Sequence, residues 1–88
     1  MGLLIHPDAF SSIPREERAR LIQKIDWLWN NRATINHLSL GENLSGFYKK
    51  RVSKYRIIYT YDSNPDNMII YMAGHRDDIY KKFYSSIK

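Results

Sequence analysis

Gly46-Phe47-Tyr48-Lys49-Lys50-Arg51-Val52-Ser53-Lys54-Tyr55-Arg56-Ile57-Ile58-Tyr59-Thr60-Tyr61 is the stretch that decides the fold. Its segments Tyr48–Val52 and Arg56–Tyr61 are rich in β-branched and aromatic residues with a period of two, and Ser53-Lys54 is a tight connection between them. Strand alternation puts Lys49, Arg51 and Ser53 on one side and Tyr48, Lys50 and Val52 on the other. On the next strand Arg56, Ile58 and Thr60 share a side, with Tyr55, Ile57, Tyr59 and Tyr61 opposite. A two-residue turn brings Arg51 close to Arg56.

Downstream, the cluster Asp62-Ser63-Asn64-Pro65-Asp66-Asn67 is dense in turn residues, and Met68–Ala73 reads as a third strand. Three strands with short links make an antiparallel meander. Asp77-Asp78 then opens a final helical segment, Ile79–Ile87, with Ile79, Phe83 and Ile87 four apart. Upstream, Leu3-Leu4-Ile5 is a brief strand that ends at His6-Pro7, because proline has no N–H for a ladder. Asp8-Ala9-Phe10 reads as a helical turn. Pro14 suits the first position of a helix, and Glu16 and Glu17 complement its positive end. Leu21, Ile25, Leu28 and Trp29, with Ile22 alongside, form an apolar stripe that Asn30-Asn31 terminates, and both Trp27 and Trp29 are expected in the core. Residues 31–44 have no period and read as a loop packing through Ile35, Leu38, Leu40 and Leu44. The expected architecture is α+β: a small antiparallel sheet, N-terminal helices packed on one face, and a short C-terminal helix.

Eighty-eight residues make one domain, spanning 1–88, too small to enclose a deep substrate cavity. Any chemistry must therefore sit on an open face. The absence of Cys excludes disulfides, thiolate metal sites and a thiol nucleophile, and fits a reducing compartment. No apolar run reaches the roughly 18–20 residues of a membrane span, and Leu3-Leu4-Ile5 is broken too soon for a signal segment. A cytoplasmic protein without a membrane partner is expected.

The formal charge is +5, and its distribution is uneven. Residues 1–44 are neutral, whereas residues 45–88 carry nine basic and four acidic side chains. Lys49, Lys50, Arg51, Lys54 and Arg56 fall in one hairpin interleaved with tyrosines, and Arg76 follows the third strand. Such a patch attracts a phosphate backbone and stacked bases. It also suits a lysine-guarded sheet edge. Three guanidinium groups and a lysine without matching carboxylates repel one another, which points to a phosphate site.

The ordered set Leu44–Tyr59, a third strand, and Gly74-His75-Arg76-Asp77-Asp78-Ile79-Tyr80 resembles the RelE/ParE toxin superfamily. Its pattern is a G-x-Y-[RK]-x-R-V-G-[DN]-Y-R-[IVL]-[IVL]-Y hairpin followed by G-[HK]-R-x-x-[IV]-Y. The likeness covers about half the chain. It departs at Ser53-Lys54, where Gly-Asp is commonest, and in a short first helix. The resemblance implies the toxin of a type II toxin–antitoxin pair, RelE-like, that cuts messenger RNA in the ribosomal A site. It implies attack by the 2′-hydroxyl to leave a 2′,3′-cyclic phosphate, with no metal and no cofactor. Carried onto this chain, the catalytic positions fall on Lys49, Arg51, Arg56, Arg76 and Tyr80, and Lys50, Lys54, His75, Lys81 and Lys82 are expected to bind RNA. A cognate antitoxin is the implied partner, with operator DNA bound only through it. A gyrase-inhibiting ParE-like toxin and an inactive co-repressor are the alternatives on the same fold.

The assigned roles agree with the chemistry. Guanidinium groups clamp the non-bridging oxygens of a phosphate under attack, the role expected of Arg56 and Arg76. Tyr80 is the implied base, and Lys49 supplies positive charge beside the base or the leaving group. His75 is a rival base, since an unperturbed imidazole titrates near neutrality, but strand-end packing is the expected role. His6 and His37 are expected to be structural or solvated, and three scattered histidines make no metal site.

Overall fold

The structure is a computed structural model that describes residues 2–41 and 46–86. Leu44, Ser45 and Ile87, which belong to the loop, the hairpin approach and the last helical stripe expected above, lie outside the described residues. The elements in chain order are β1 (Gly2–Ile5), α1 (Arg15–Asn30), β2 (Leu38–Ser39), β3 (Phe47–Val52), β4 (Tyr55–Asp62), β5 (Asn67–His75) and α2 (Ile79–Ser86).

The five strands form one sheet in the order β1-β5-β4-β3-β2. The meander β3-β4-β5 is antiparallel as expected, with Val52 opposite Tyr55 and Arg51 opposite Arg56. The sheet as a whole is mixed, because β1 runs parallel to β5, with Leu3 beside Met68 and Ile5 beside Ile70. Segment 6–13 then covers the rest of that edge. Ala9, Ser11 and Ile13 close successive four-residue turns there, and Ala73 N–H donates to Ala9 O at 2.9 Å. The helical turn expected at Asp8–Phe10 is thus a run of tight turns. Within 31–44, Leu38-Ser39 pairs with β3 as a two-residue strand.

Between Ile58 and Tyr59 the ladder slips by one, so Tyr71 is an extra residue in β5. A bulge of this kind sets two residues of one strand against one of its neighbour. Tyr71 and Met72 consequently face the same side: Tyr71 meets the ring of Phe47 at 5.4 Å, and Met72 packs against Ile58 and Phe83.

The two sheet faces carry different helices. Helix α1 buries Leu21, Ile25 and Leu28 against Val52, Tyr55, Ile57, Tyr59, Met68, Ile70 and Ala73, with Ala9 and Ile13 sealing the layer. Full burial of each large aliphatic side chain contributes roughly 1.5–3 kcal/mol, so this layer is the main stabilising one. Helix α2 lies on the opposite face, where Ile79 and Phe83 pack on Ile58 with Leu40, Phe47, Met72 and Tyr80. Gly74 keeps this approach uncrowded, since a Cβ there would stand 3.0 Å from Ile79 Cδ1, which would have to give by a few tenths of an ångström. The helices are therefore divided between the faces, with one N-terminal helix rather than several.

Pro14 precedes the helix as its N-cap rather than its first residue, and Asn31 ends it, its side-chain amide donating to Trp27 O at 2.8 Å. Trp29 is half-buried against the core as expected, but Trp27 is 40% exposed. At about 100° per residue, Trp27 lies roughly 120° from the centre of the buried stripe. No described helix is long and apolar enough to cross a membrane.

Candidate functional site

The site follows from the hairpin register. Residues paired across antiparallel strands share a face, so Lys49, beside Ile58, and Arg51, beside Arg56, all project to the α2 side. The turn at Ser53-Lys54 is joined to the end of β5 by a hydrogen bond from Arg76 N–H to Lys54 O at 2.9 Å. That bond fixes the Arg76 backbone at the end of the sheet where Arg51 and Arg56 sit. Tyr80, in the first turn of α2, packs on the Ile58 cluster, and Ile58 is the residue facing Lys49. Lys49, Arg51, Arg56 and Tyr80 thereby share one face, with the Arg76 backbone at the same end of the sheet.

These cations are only lightly neutralised. Arg51 is exposed, and its side chain has no hydrogen-bond or ion-pair partner among the described residues. Arg56 spends one nitrogen, Nη1, on the carbonyls of Ser53 and Tyr55 at 3.1 and 2.9 Å, which steadies the turn without cancelling charge. Arg76 has one carboxylate near it, Asp77 at 3.9 Å, with both side chains largely in solvent. Exposed pairs of that length contribute little, yet Asp77 is a counter-charge that the sequence pattern did not single out. Tyr71 lies on the same face beside Phe47, and Phe47 meets Phe83 at 5.1 Å, so an aromatic bed adjoins Lys49. Alternation counted from Met68 already sends Tyr71 to this side, and the bulge turns Met72 to the same side next to it.

The remaining residues expected to bind RNA are scattered. Lys81 and Lys82 are exposed on α2. Lys50 projects to the α1 face, with Nζ 5.0 Å from the Trp27 ring centroid. Lys54, at the turn, holds Nζ 5.6 Å from the Tyr55 ring. His75 pairs with Tyr55 across the strands, its ring 6.3 Å from that tyrosine and edge-on to it, while Nδ1 accepts the Asp77 N–H at 3.1 Å. That is strand-end packing on the α1 side, away from Arg51 and Arg56.

The opposite end of the molecule holds a fully engaged arginine. Arg32 donates through Nε and Nη2 to both carboxylate oxygens of Asp66 at 2.7 and 2.8 Å and through Nη1 to Trp29 O, and it stacks 3.7 Å from the Trp29 ring centroid. Tyr61 donates to Asp66 at 3.1 Å. The hydrogen bond from Arg32 holds the Asp66 carboxyl below its usual range, and the same bond raises Arg32. Burial pushes the Tyr59 phenol up to about 12, helped by Tyr48. His37 bridges Tyr59 Oη at 2.7 Å and Arg32 O at 2.9 Å. Since a carbonyl only accepts, Nε2 carries the hydrogen, and in the neutral ring Nδ1 then accepts from Tyr59. His37 is structural, as expected. Among the described residues no group of three or more His, Asp or Glu side chains converges.

No protein-family model matches the sequence, and no curated protein does. Solved structures do match. The isolated E. coli RelE toxin aligns with a TM-score of 0.65 over 98% of this chain and 97% of its own, at 17% identity. The chain has the RelE fold. A chain of the RelB-RelE antitoxin-toxin complex from Methanococcus jannaschii aligns with a TM-score of 0.64 at 21% identity, over 91% of this chain and 98% of that one. Nearly complete coverage in both directions means that the RelE fold accounts for the whole described architecture. At these identities the likeness establishes the fold, and function must be argued from the side chains the fold gathers.

Proposed function

We propose that the chain is the toxin of a toxin–antitoxin pair and cleaves messenger RNA in the ribosomal A site. One observation carries this reading: Lys49, Arg51, Arg56 and Arg76 share an open sheet end, lightly neutralised, with the phenol of Tyr80 on the same face. Unneutralised guanidinium groups on a solvent-open surface suit a polyanion. The reaction is a transphosphorylation. The 2′-hydroxyl gives its proton to Tyr80 acting as a phenolate, its oxygen bonds to phosphorus, and the P–O5′ bond breaks. O5′ leaves and takes a proton from solvent water, so the upstream fragment ends in a 2′,3′-cyclic phosphate and the downstream one in a 5′-hydroxyl. Arg51, Arg56 and Arg76 hold the non-bridging oxygens as charge gathers on them, and Lys49 offsets the charge on the leaving oxygen. His75, packed on Tyr55, is too far round the sheet to be the preferred base.

The fold shared with the RelB-RelE complex supports an antitoxin as partner, with operator DNA reached only through it. A cytoplasmic setting follows from a ribosomal target. The test is incubation of the purified protein with translating ribosomes, followed by mapping of messenger 5′-ends and analysis of the upstream termini. New ends at A-site codons with cyclic phosphates are expected. Intact messenger together with gyrase-linked DNA breaks would favour the gyrase-directed alternative.

A further inference from the structure

The edge of β3 carries cations to both sides of the sheet. Lys49 and Arg51 project towards α2, whereas Lys50, between them, projects towards α1. Strand β2 pairs only with Tyr48 and Lys49, so among the described residues the outer edge of 50–52 is not paired to a strand. Across that edge, Arg20, Gln23, Lys24 and Trp27 of α1 line a shallow groove of about 310 Å³ with Val52. Trp27 holds two ammonium groups at once, Lys24 Nζ at 4.5 Å and Lys50 Nζ at 5.0 Å from its ring centroid.

An indole face attracts cations but does not neutralise them. Neither lysine has a carboxylate within ion-pair distance among the described residues, while Arg20 has only a long exposed contact with Glu17 at 3.9 Å. The ring therefore gathers two like charges, Lys24 lining the groove and Lys50 beside it, where an anion can sit. It lies just across the edge from Arg51 and Arg56.

We infer that Lys24 and Lys50, positioned by Trp27, form a second phosphate-binding site that takes the backbone of the same single-stranded RNA as it passes round the β3 edge. This rests on the RNA-cleaving reading for the identity of the strand. Continuity with the Arg51–Arg56 cluster favours a polynucleotide over an acidic protein, because one extended strand can engage both faces at a bare edge.

The test compares an RNA trinucleotide with a twelve-nucleotide RNA, both 2′-fluoro-substituted so that neither is cleaved, by fluorescence anisotropy over a range of salt. In Lys24→Gln/Lys50→Gln the advantage of the longer RNA should shrink about tenfold, and its salt slope should fall by about 1.4, at roughly 0.7 for each phosphate of a single strand that is no longer neutralised. Lys24→Arg/Lys50→Arg should restore both. An unchanged slope and advantage would overturn the inference. So would weakened binding of a polyglutamate peptide with unaltered RNA binding, which would mark a surface for an acidic protein. Cleavage is scored separately, with native messenger on ribosomes. If the unsubstituted protein makes no cut, the proposed function falls while the anisotropy result still decides the second site.

Discussion

Arg32 and the trio Arg51, Arg56 and Arg76 are the same side chain in opposite situations. Arg32 has a bidentate carboxylate, a carbonyl acceptor and an indole to stack on. The trio has two backbone carbonyls and one distant exposed carboxylate between its members, with none for Arg51 among the described residues. A satisfied arginine ties elements together, here the end of α1 to the β4–β5 turn. An unsatisfied one leaves its charge open to solvent and to any anion that arrives. The difference teaches that counting basic residues is less informative than asking which have already been matched.

The largest effect that sharpens this contrast is expected at Arg76. Arg76→Ala should slow messenger cleavage about 10²–10³-fold, the usual loss for one charge-stabilising donor, with the melting temperature and antitoxin affinity retained. A fall in melting temperature large enough to explain the lost activity would erase the distinction. Next, Arg51→Ala should reduce cleavage by about 10–10²-fold, and Lys50→Ala by only a few-fold, because Lys50 lies across the edge. Equal rate constants for the two variants on saturating substrate would mean that facing does not matter.

Arg32→Ala should do the reverse, lowering the melting temperature while the cleavage rate per folded molecule stays as it was. The contrast also has a pH signature. Asp66 has a depressed pKa in the folded chain, so its stabilisation is fully present above about pH 4 and is lost as pH falls through the folded value. Melting curves between pH 5 and 2 should show an acid loss in the parent that Arg32→Ala largely removes. Tyr59 behaves oppositely: its raised value means stability falls as pH rises from about 10, where an unfolded phenol ionises, to about 12. The smallest effect concerns the turn carrying the trio. Ser53 sits at φ 56°, a conformation glycine adopts at no steric cost. Ser53→Gly should raise stability by about 0.5 kcal/mol after the extra backbone entropy of glycine is subtracted, readable as a shift in denaturant midpoint.

The parts of the fold legible in the sequence are those fixed locally. A two-residue turn leaves one register for its hairpin, so Val52 meets Tyr55 and Arg51 meets Arg56. That single fact puts three of the five candidate catalytic residues, Lys49, Arg51 and Arg56, on one face from the sequence alone. The partner of Leu3-Leu4-Ile5 is not legible, because a three-residue apolar run carries no mark of which distant strand it joins or in which direction. Leu38-Ser39 is too short to have a period. In β5, alternation counted from Met68 would send Met72 towards α1, and the extra residue reverses that. Trp27 misleads for a different reason: its size suggests burial, whereas its angle on the helix favours the flank where Lys24 lies.

The bulge at Tyr71 has a further consequence. A regular strand shows one side chain to a given side at each step of the ladder, but β5 shows two in succession, Tyr71 and Met72, to the bed on which Phe47 and Phe83 rest. The widening is self-contained. Removing Tyr71 would return β5 to plain alternation and leave Ala73, Gly74 and the exit towards Arg76 in step with β4. The aromatic floor can thus be broadened or trimmed by a single codon without disturbing the strand end that leads to Arg76, which frees that floor to vary independently of the basic cluster beside it.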